Sequence, residues 1–172
     1  MHILDTERLS LREMVPGDAP FILELLNEPA FLENIADKGV RTLEDALGYI
    51  EKGPRASYAQ HGYGLFVVEL KETGEPVGIC GLVKRPELAD ADVGYAFLQR
   101  HWSRGYAVEA AAATVEYGLG KLGMKRVLGI TAPGNQRSIR VLELSGLRFE
   151  GMVQMAQYGG ENRLFSTPPA GD

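Results

Sequence analysis

Apolar residues alternate with polar ones in RLSLREM, around Leu9, Leu11 and Met14, and this period of two predicts a strand. After Asp18, a candidate N-cap, the spacing changes: Phe21, Ile22, Leu25 and Leu26 share one face of a helix. Pro29 opens a shorter helical piece, PAFLENIAD. Thr42, with Asp45 three residues on, caps a third stripe of Leu43, Ala46, Leu47 and Ile50. Pro54 should interrupt that helix and start another, RASYAQ.

From Gly62 the texture turns extended. YGLFVVEL, the turn KETGE and PVGICGLVKR form a hairpin signal, and DVGYAFL follows the loop PELADA as a further strand. A helix is predicted over 105–120, a strand over Met124–Thr131, and a helix over 136–145 that Gly146 ends. LRFEGMVQMAQY and ENRLFST read as a last pair of strands, and TPPAGD as a loose end. No repeat, low-complexity run or linker divides the chain. The alternation of elements predicts a single domain of the α/β (α+β) class, a mixed sheet with helices on its faces.

Composition narrows the function classes. At 172 residues and a net charge of −5, the chain fits one ordinary domain and has no overall basic footprint for nucleic acid. One cysteine excludes an intrachain disulfide and fits a cytoplasmic protein. Cys80 sits in an apolar run and reads first as a buried small hydrophobe. His2, His61 and His101 are isolated, so no metal site is expected. Neither a signal peptide nor a membrane-spanning run is apparent, and no membrane partner is expected.

The stretch HWSRGYAVEA carries the candidate chemistry. A glycine and an alanine leave the backbone bare where the helix begins. The first N–H groups of a helix have no internal partner and attract anions, phosphate above all. A tight strand-to-helix corner would use glycine equally well. The P-loop pattern G-x-x-x-x-G-K-[ST] is absent. The dinucleotide pattern is broken, since Gly62-Tyr63-Gly64 is followed by Val67 in its third place. A pyrophosphate held without metal by main-chain N–H groups is compatible with what remains.

These residues resemble the GNAT superfamily of N-acetyltransferases, whose acetyl-coenzyme A signature is [Q/R]-x-x-G-x-[G/A]. Trp102 stands at its first position, Gly105 at the glycine and Ala107 at the last. WSRGYAVEA resembles the form W-G-[KR]-G-Y-A-x-E-A of the Rim-like branch, the ribosomal-protein alanine and serine acetyltransferases, with Ser103 for the first glycine. TERLSLREM, TGEPVGICGL, DVGYAFL and NQRSIRVLELSGLRFEG resemble further segments of that branch in the same order, covering roughly residues 6–166.

The resemblance implies a mostly antiparallel sheet that splays at the acetyl-coenzyme A site. Main-chain groups of Phe97 and Leu98 would meet the pantetheine arm, and those of Arg104, Gly105, Tyr106, Ala107 and Val108 the pyrophosphate. Asn135 would reach the pantetheine arm. The implied partners are acetyl-coenzyme A and a primary amine, a protein N-terminus or a small molecule, without metal and with the chain a monomer or homodimer. Asp92, at a family glutamate position, is the candidate base. Leu142 occupies the position of a family tyrosine, so Ser138 is the candidate hydrogen-bond donor to the leaving sulfur, with Tyr95, Tyr106 and Tyr158 as substitutes. Glu24, Glu28, Glu33, Asp37, Tyr58, Tyr158 and Glu161 would wall the acceptor site and could receive a cation. The missing tyrosine leaves open a rival, non-catalytic acyl-coenzyme A sensor.

Overall fold

Eight strands lie in one open sheet in the order β1-β2-β3-β4-β5-β6-β8-β7, in a computed structural model that describes residues 1–168. They are β1 (His2–Asp5), β2 (Leu9–Arg12), β3 (Leu65–Leu70), β4 (Pro76–Val83), β5 (Asp92–Phe97), β6 (Leu128–Thr131), β7 (Arg148–Met155) and β8 (Gly160–Ser166). Every neighbouring pair is antiparallel except β5 and β6. The tail expected to be loose falls partly outside the described residues, at 169–172.

Alternation along the strands sorts the core into two layers. Phe66, Cys80, Val93 and Phe97 face α5 (Tyr106–Leu119) and α6 (Gln136–Leu144), meeting Ala110, Ala111, Val115 and Leu142. Their neighbours Val67, Ile79 and Ala96 point the other way. There they pack under α1 (Ala19–Leu26), α2 (Pro29–Asn34) and α3 (Leu43–Ile50) through Ile22, Leu25, Leu26, Phe31 and Ile50. Fully burying one such aliphatic side chain stabilises the fold by roughly 1.5–3 kcal/mol. The central strand β4 is buried over six consecutive residues, which explains its unbroken apolar run.

Four local expectations change. Residues His2–Asp5, not predicted as a strand, form β1 and pair with β2 at the sheet edge. Asp18 makes no side-chain cap; its carboxylate instead accepts two bonds from the Arg12 guanidinium, at 2.7 and 2.9 Å, and one from the Val15 N–H. Pro54 does not break the helix. Residues Glu51–Arg55 widen into a π-helical turn joining α3 to α4 (Ala56–His61), and the wider turn accommodates a ring that lacks an N–H. The strand predicted from Met124 is regular only from Leu128. Thr42 caps α3 as expected, its Oγ1 accepting from the Asp45 N–H at 3.1 Å.

The functional geometry begins between β5 and β6. These parallel strands share one residue pair, Asp92 with Leu128, and then part. Beyond Asp92 the β6-facing edge of β5 is open, as the resemblance implied.

Candidate active site

Register decides which main-chain groups face the open edge. Leu98 N–H donates to Val77 O at 3.0 Å, and the Leu98 carbonyl accepts from His101 N–H at 2.9 Å, so both of its main-chain groups are engaged. In an antiparallel pair, successive residues direct their N–H and C=O groups to opposite sides. Gly78 pairs with Phe97 and Cys80 with Tyr95, so the odd-numbered residues of β5 turn their main-chain groups toward β6. Ala91, whose carbonyl accepts from Leu128 N–H at 2.9 Å, follows the same phase. The groups aimed into the gap are therefore those of Tyr95 and Phe97. The Phe97 carbonyl already accepts from the Trp102 indole at 2.8 Å, which leaves its N–H.

That indole bond accounts for tryptophan at position 102, since it ties the loop before α5 to the end of β5. The loop turns through two left-handed residues, Ser103 at φ 63° and Gly105 at φ 83°. Gly105 is the N-cap of α5 and has no side chain to offer. Among the described residues, the N–H groups of Arg104, Gly105, Tyr106, Ala107 and Val108 have no hydrogen-bond partner. Unpaired N–H groups at a helix N-terminus suit an anion such as a pyrophosphate. A Cβ added at Gly105 would stand 3.2 Å from Arg8 Nη2, so glycine serves both the backbone angle and the close approach.

Arg8 and Glu109 were not singled out from the sequence, and together they hold the loop. Arg8 donates through Nη1 to the Arg104 carbonyl at 2.9 Å and through Nε to Glu109 at 2.7 Å. The Glu109 carboxylate also accepts from the Arg8 N–H and the Thr6 hydroxyl. These bonds hold the Glu109 carboxyl below its usual range, against the opposing effect of partial burial. Nothing in the local spacing of TER or VEA signals this contact, which spans about a hundred residues of chain. Ser103 is the sole non-glycine residue at positive φ among the described residues. Ser103→Gly is expected to stabilise the fold by about 1 kcal/mol, the cost of holding a side chain in that region. In a chain of this length a thermal melt should then rise by about 2–4 °C. An unchanged or lower midpoint would contradict the strain.

Two cavities meet at the open edge. One, of about 240 Å³, is lined by Phe97, Trp102, Gly105, Ala107 and Arg137 and lies over the unpaired N–H groups. The Arg137 guanidinium stacks over the Trp102 ring, 4.6 Å from its centroid, in the wall of that cavity. The other, of about 660 Å³, lies on the α1–α4 side and is lined by Asp92, Arg85, Tyr49, Tyr158 and Asn162. Tyr95, Asn135 and Ser138 line both and mark where they join.

At that junction the Tyr95 phenol lies 2.6 Å from Ser138 Oγ. Asn135 Oδ1 caps α6 by accepting from the Ser138 N–H at 3.1 Å, and that bond fixes the orientation of both residues. Burial pushes the Tyr95 phenol above its usual range, so it stays protonated. Leu142 is buried in the core, far from serving as a donor. Tyr106 stacks under the Arg8 guanidinium at 4.6 Å, and Tyr158 faces the larger cavity.

Asp92 is fully buried where β5 and β6 meet. Its Oδ1 accepts from Arg85 Nε at 2.8 Å, while Oδ2 has no partner. Burial pushes the Asp92 carboxyl up, outweighing the pull of Arg85. Arg85 also donates to the Tyr158 hydroxyl at 2.5 Å. Arg85 was missed in the sequence, though the hairpin register could have shown it: Val83 pairs with Asp92, and Arg85 follows two residues later.

Of the proposed acceptor wall, only Glu33 and Tyr158 line the larger cavity. Glu24 and Asp37 form surface ion pairs with Arg100 and Arg41, and Glu28 accepts from the Gln99 N–H. The Tyr58 hydroxyl lies between the Met14 N–H and the Leu65 carbonyl. Cys80 is fully buried against Thr114, and burial pushes its thiol up to about 12, which removes it as a nucleophile. Among the described residues no group of three or more His, Cys, Asp or Glu could hold a metal ion. No helix there is long and apolar enough to cross a membrane.

A strand pair that parts beside a row of unpaired main-chain N–H groups is the arrangement that the resemblance to the N-acetyltransferases implied. The family model for the acetyltransferase (GNAT) domain matches residues 8–148, and the chain belongs to that family of acetyl-coenzyme A-dependent acyltransferases. It is 31% identical over 157 residues to the uncharacterised protein YkkB of Bacillus subtilis, covering 88% of each chain. An acetyltransferase structure from Agrobacterium tumefaciens superposes with a TM-score of 0.81 at 25% identity, over 96% of this chain and 93% of that one. RimL, a ribosomal L7/L12 α-N-protein acetyltransferase in complex with coenzyme A, shares the fold over the full length of both chains (TM-score 0.83, 16% identity).

Proposed function

We propose that the protein transfers an acetyl group from acetyl-coenzyme A to a primary amine, both bound at once in the joined cavities. The observation that carries this reading is the row of unpaired N–H groups from Arg104 to Val108, in line with the open edge of β5. The thioester supplies an activated acetyl carbon when bound. Tyr95 and Phe97 main-chain groups would pair with the pantetheine amides as a sheet edge pairs with a strand. The Phe97 N–H is the donor suited to the thioester carbonyl.

The new N–C bond forms as the C–S bond breaks. The acceptor ammonium gives up two protons overall, of which one ends on the coenzyme A sulfur and the other leaves for solvent. Asp92, with its raised affinity for protons, is the base for the first removal, and because its carboxylate is buried it would take the proton through water. The Ser138–Tyr95 pair donates a hydrogen bond to the departing sulfur. Holding both reactants in one cleft supplies much of the rate. The sensor reading rests on Leu142 and on the shorter carboxylate of Asp92; the phenol of Tyr95 beside Ser138 offers the donor that Leu142 lacks and favours the enzyme.

Calorimetry with acetyl-coenzyme A in metal-free buffer should show binding, and a panel of amines and N-terminal peptides should release free thiol. Binding without turnover on any acceptor would favour the sensor. Asp92→Asn is expected to abolish the acidic limb of kcat/KM, because the rate should rise with pH as Asp92 loses its proton. It should also destabilise the fold by about 3–5 kcal/mol, because Arg85 keeps a buried charge with no counter-charge. A pH profile and a denaturant melt check the two separately. If the rate and profile stay as in the wild type, Asp92 is not the base.

A further inference from the structure

The chain carries −5 overall, yet the charged side chains lining the larger cavity tip the other way. Lys38, Lys52, Lys84 and Arg85 oppose Glu33 and Asp92, four cations to two carboxylates, for a local charge of +2. Such a cavity repels a polycation and favours an anion.

The buried ion pair at its base refines this. Arg85 uses Nε on Asp92 and Nη1 on Tyr158, which leaves Nη2 without a hydrogen-bond partner among the described residues. Asp92 uses Oδ1, and its unpartnered Oδ2 is sealed inside the protein. The donor left on this 2.8 Å ion pair for a ligand is therefore Arg85 Nη2. A ligand that meets it and the lysines carries an anion, and the amine-acetylation reading places a primary amine on the same molecule. The Tyr49 phenol, pushed up to about 12 by burial, lines the same cavity as a neutral donor that favours the anion further.

We propose that the acceptor is a small zwitterion, a primary amine that also carries a carboxylate or phosphate, its anion directed to Arg85. The proposal rests on the amine-acetylation reading above. The lysines at positions 38 and 52 are exposed and gather the anion at the mouth; Lys84 Nζ is tied to the Arg85 and Leu88 carbonyls and contributes charge alone.

The test uses pairs that differ in one charge: each common α-amino acid against its amide, O-phosphoethanolamine against ethanolamine, with spermidine as a polycation. Thiol release from acetyl-coenzyme A is measured for each. In at least one pair the anionic member should exceed its partner about tenfold or more in kcat/KM, a transition-state preference of about 1.4 kcal/mol. The amino-acid and phosphate arms distinguish which anion is preferred. The double variant Lys38→Glu, Lys52→Glu should shrink that ratio about tenfold without changing the Kd for acetyl-coenzyme A. Equal turnover within every pair, preference for spermidine, or no turnover of any zwitterion while acetyl-coenzyme A still binds would overturn the acceptor assignment alone. Failure of acetyl-coenzyme A to bind would overturn the transfer reading itself.

Discussion

Gly105→Glu is expected to abolish acetyl-coenzyme A binding. Three effects act together at this position. The residue sits at φ 83°, where an L side chain costs roughly 1–2 kcal/mol. Its Cβ would press on Arg8 Nη2 at 3.2 Å, disturbing the guanidinium that holds the Arg104 carbonyl and Glu109. The added carboxylate would also stand beside the five unpaired N–H groups that suit a pyrophosphate. Two like charges about 5 Å apart in partly screened surroundings repel by roughly 3 kcal/mol. The sum exceeds a hundredfold in affinity, so calorimetry at millimolar ligand should record no binding while circular dichroism shows a folded protein. Gly105→Ala keeps the strain and the crowding but adds no charge, and should weaken binding only about tenfold or less. Wild-type affinity in the glutamate variant would refute the cradle.

Tyr95→Phe lowers kcat about a hundredfold and leaves the KM for acetyl-coenzyme A within about threefold, the pattern of a donor used in the transition state. The phenol's pKa is raised by burial, and an ordinary coenzyme-type thiol ionises near 8.5. Complete proton transfer from phenol to thiolate is therefore uphill. The contribution is a hydrogen bond that strengthens as charge grows on sulfur. Because Tyr95 and Ser138 lie 2.6 Å apart, they should act as one unit. Ser138→Ala should cost a similar factor, and the double variant little more than the worse single one. Additive losses in the double variant, or an unchanged kcat in Tyr95→Phe, would dissolve the pair.

Much of the site was legible because its chemistry is main-chain chemistry. A glycine at a helix start and a proline-free, apolar strand before it advertise backbone groups, and backbone groups follow from element boundaries. The phase of β5 was not legible. Whether Phe97 or Leu98 faces the gap depends on which residues of β4 they pair with, and alternation within DVGYAFL permits either. The larger cavity was read with the wrong sign. Glu24, Glu28 and Asp37 are close in sequence to the acceptor side, but surface partners hold them. Lys52 and Arg85, on different elements, reach it instead.

The sequence by itself determined the order of most elements, the mixed sheet between helices, and the helix start at Gly105 with its unpaired N–H groups. Those features depend on hydrophobic period, on glycine at a left-handed turn, and on the unpaired N–H groups of any helix start, all of them local. Only the tertiary structure decided the parting of β5 from β6 after one residue pair, the Arg8–Glu109 clamp, the Tyr95–Ser138 contact and the Arg85–Asp92 pair. Each of these joins groups that chain separation leaves unrelated, and their geometry follows from strand register and helix packing.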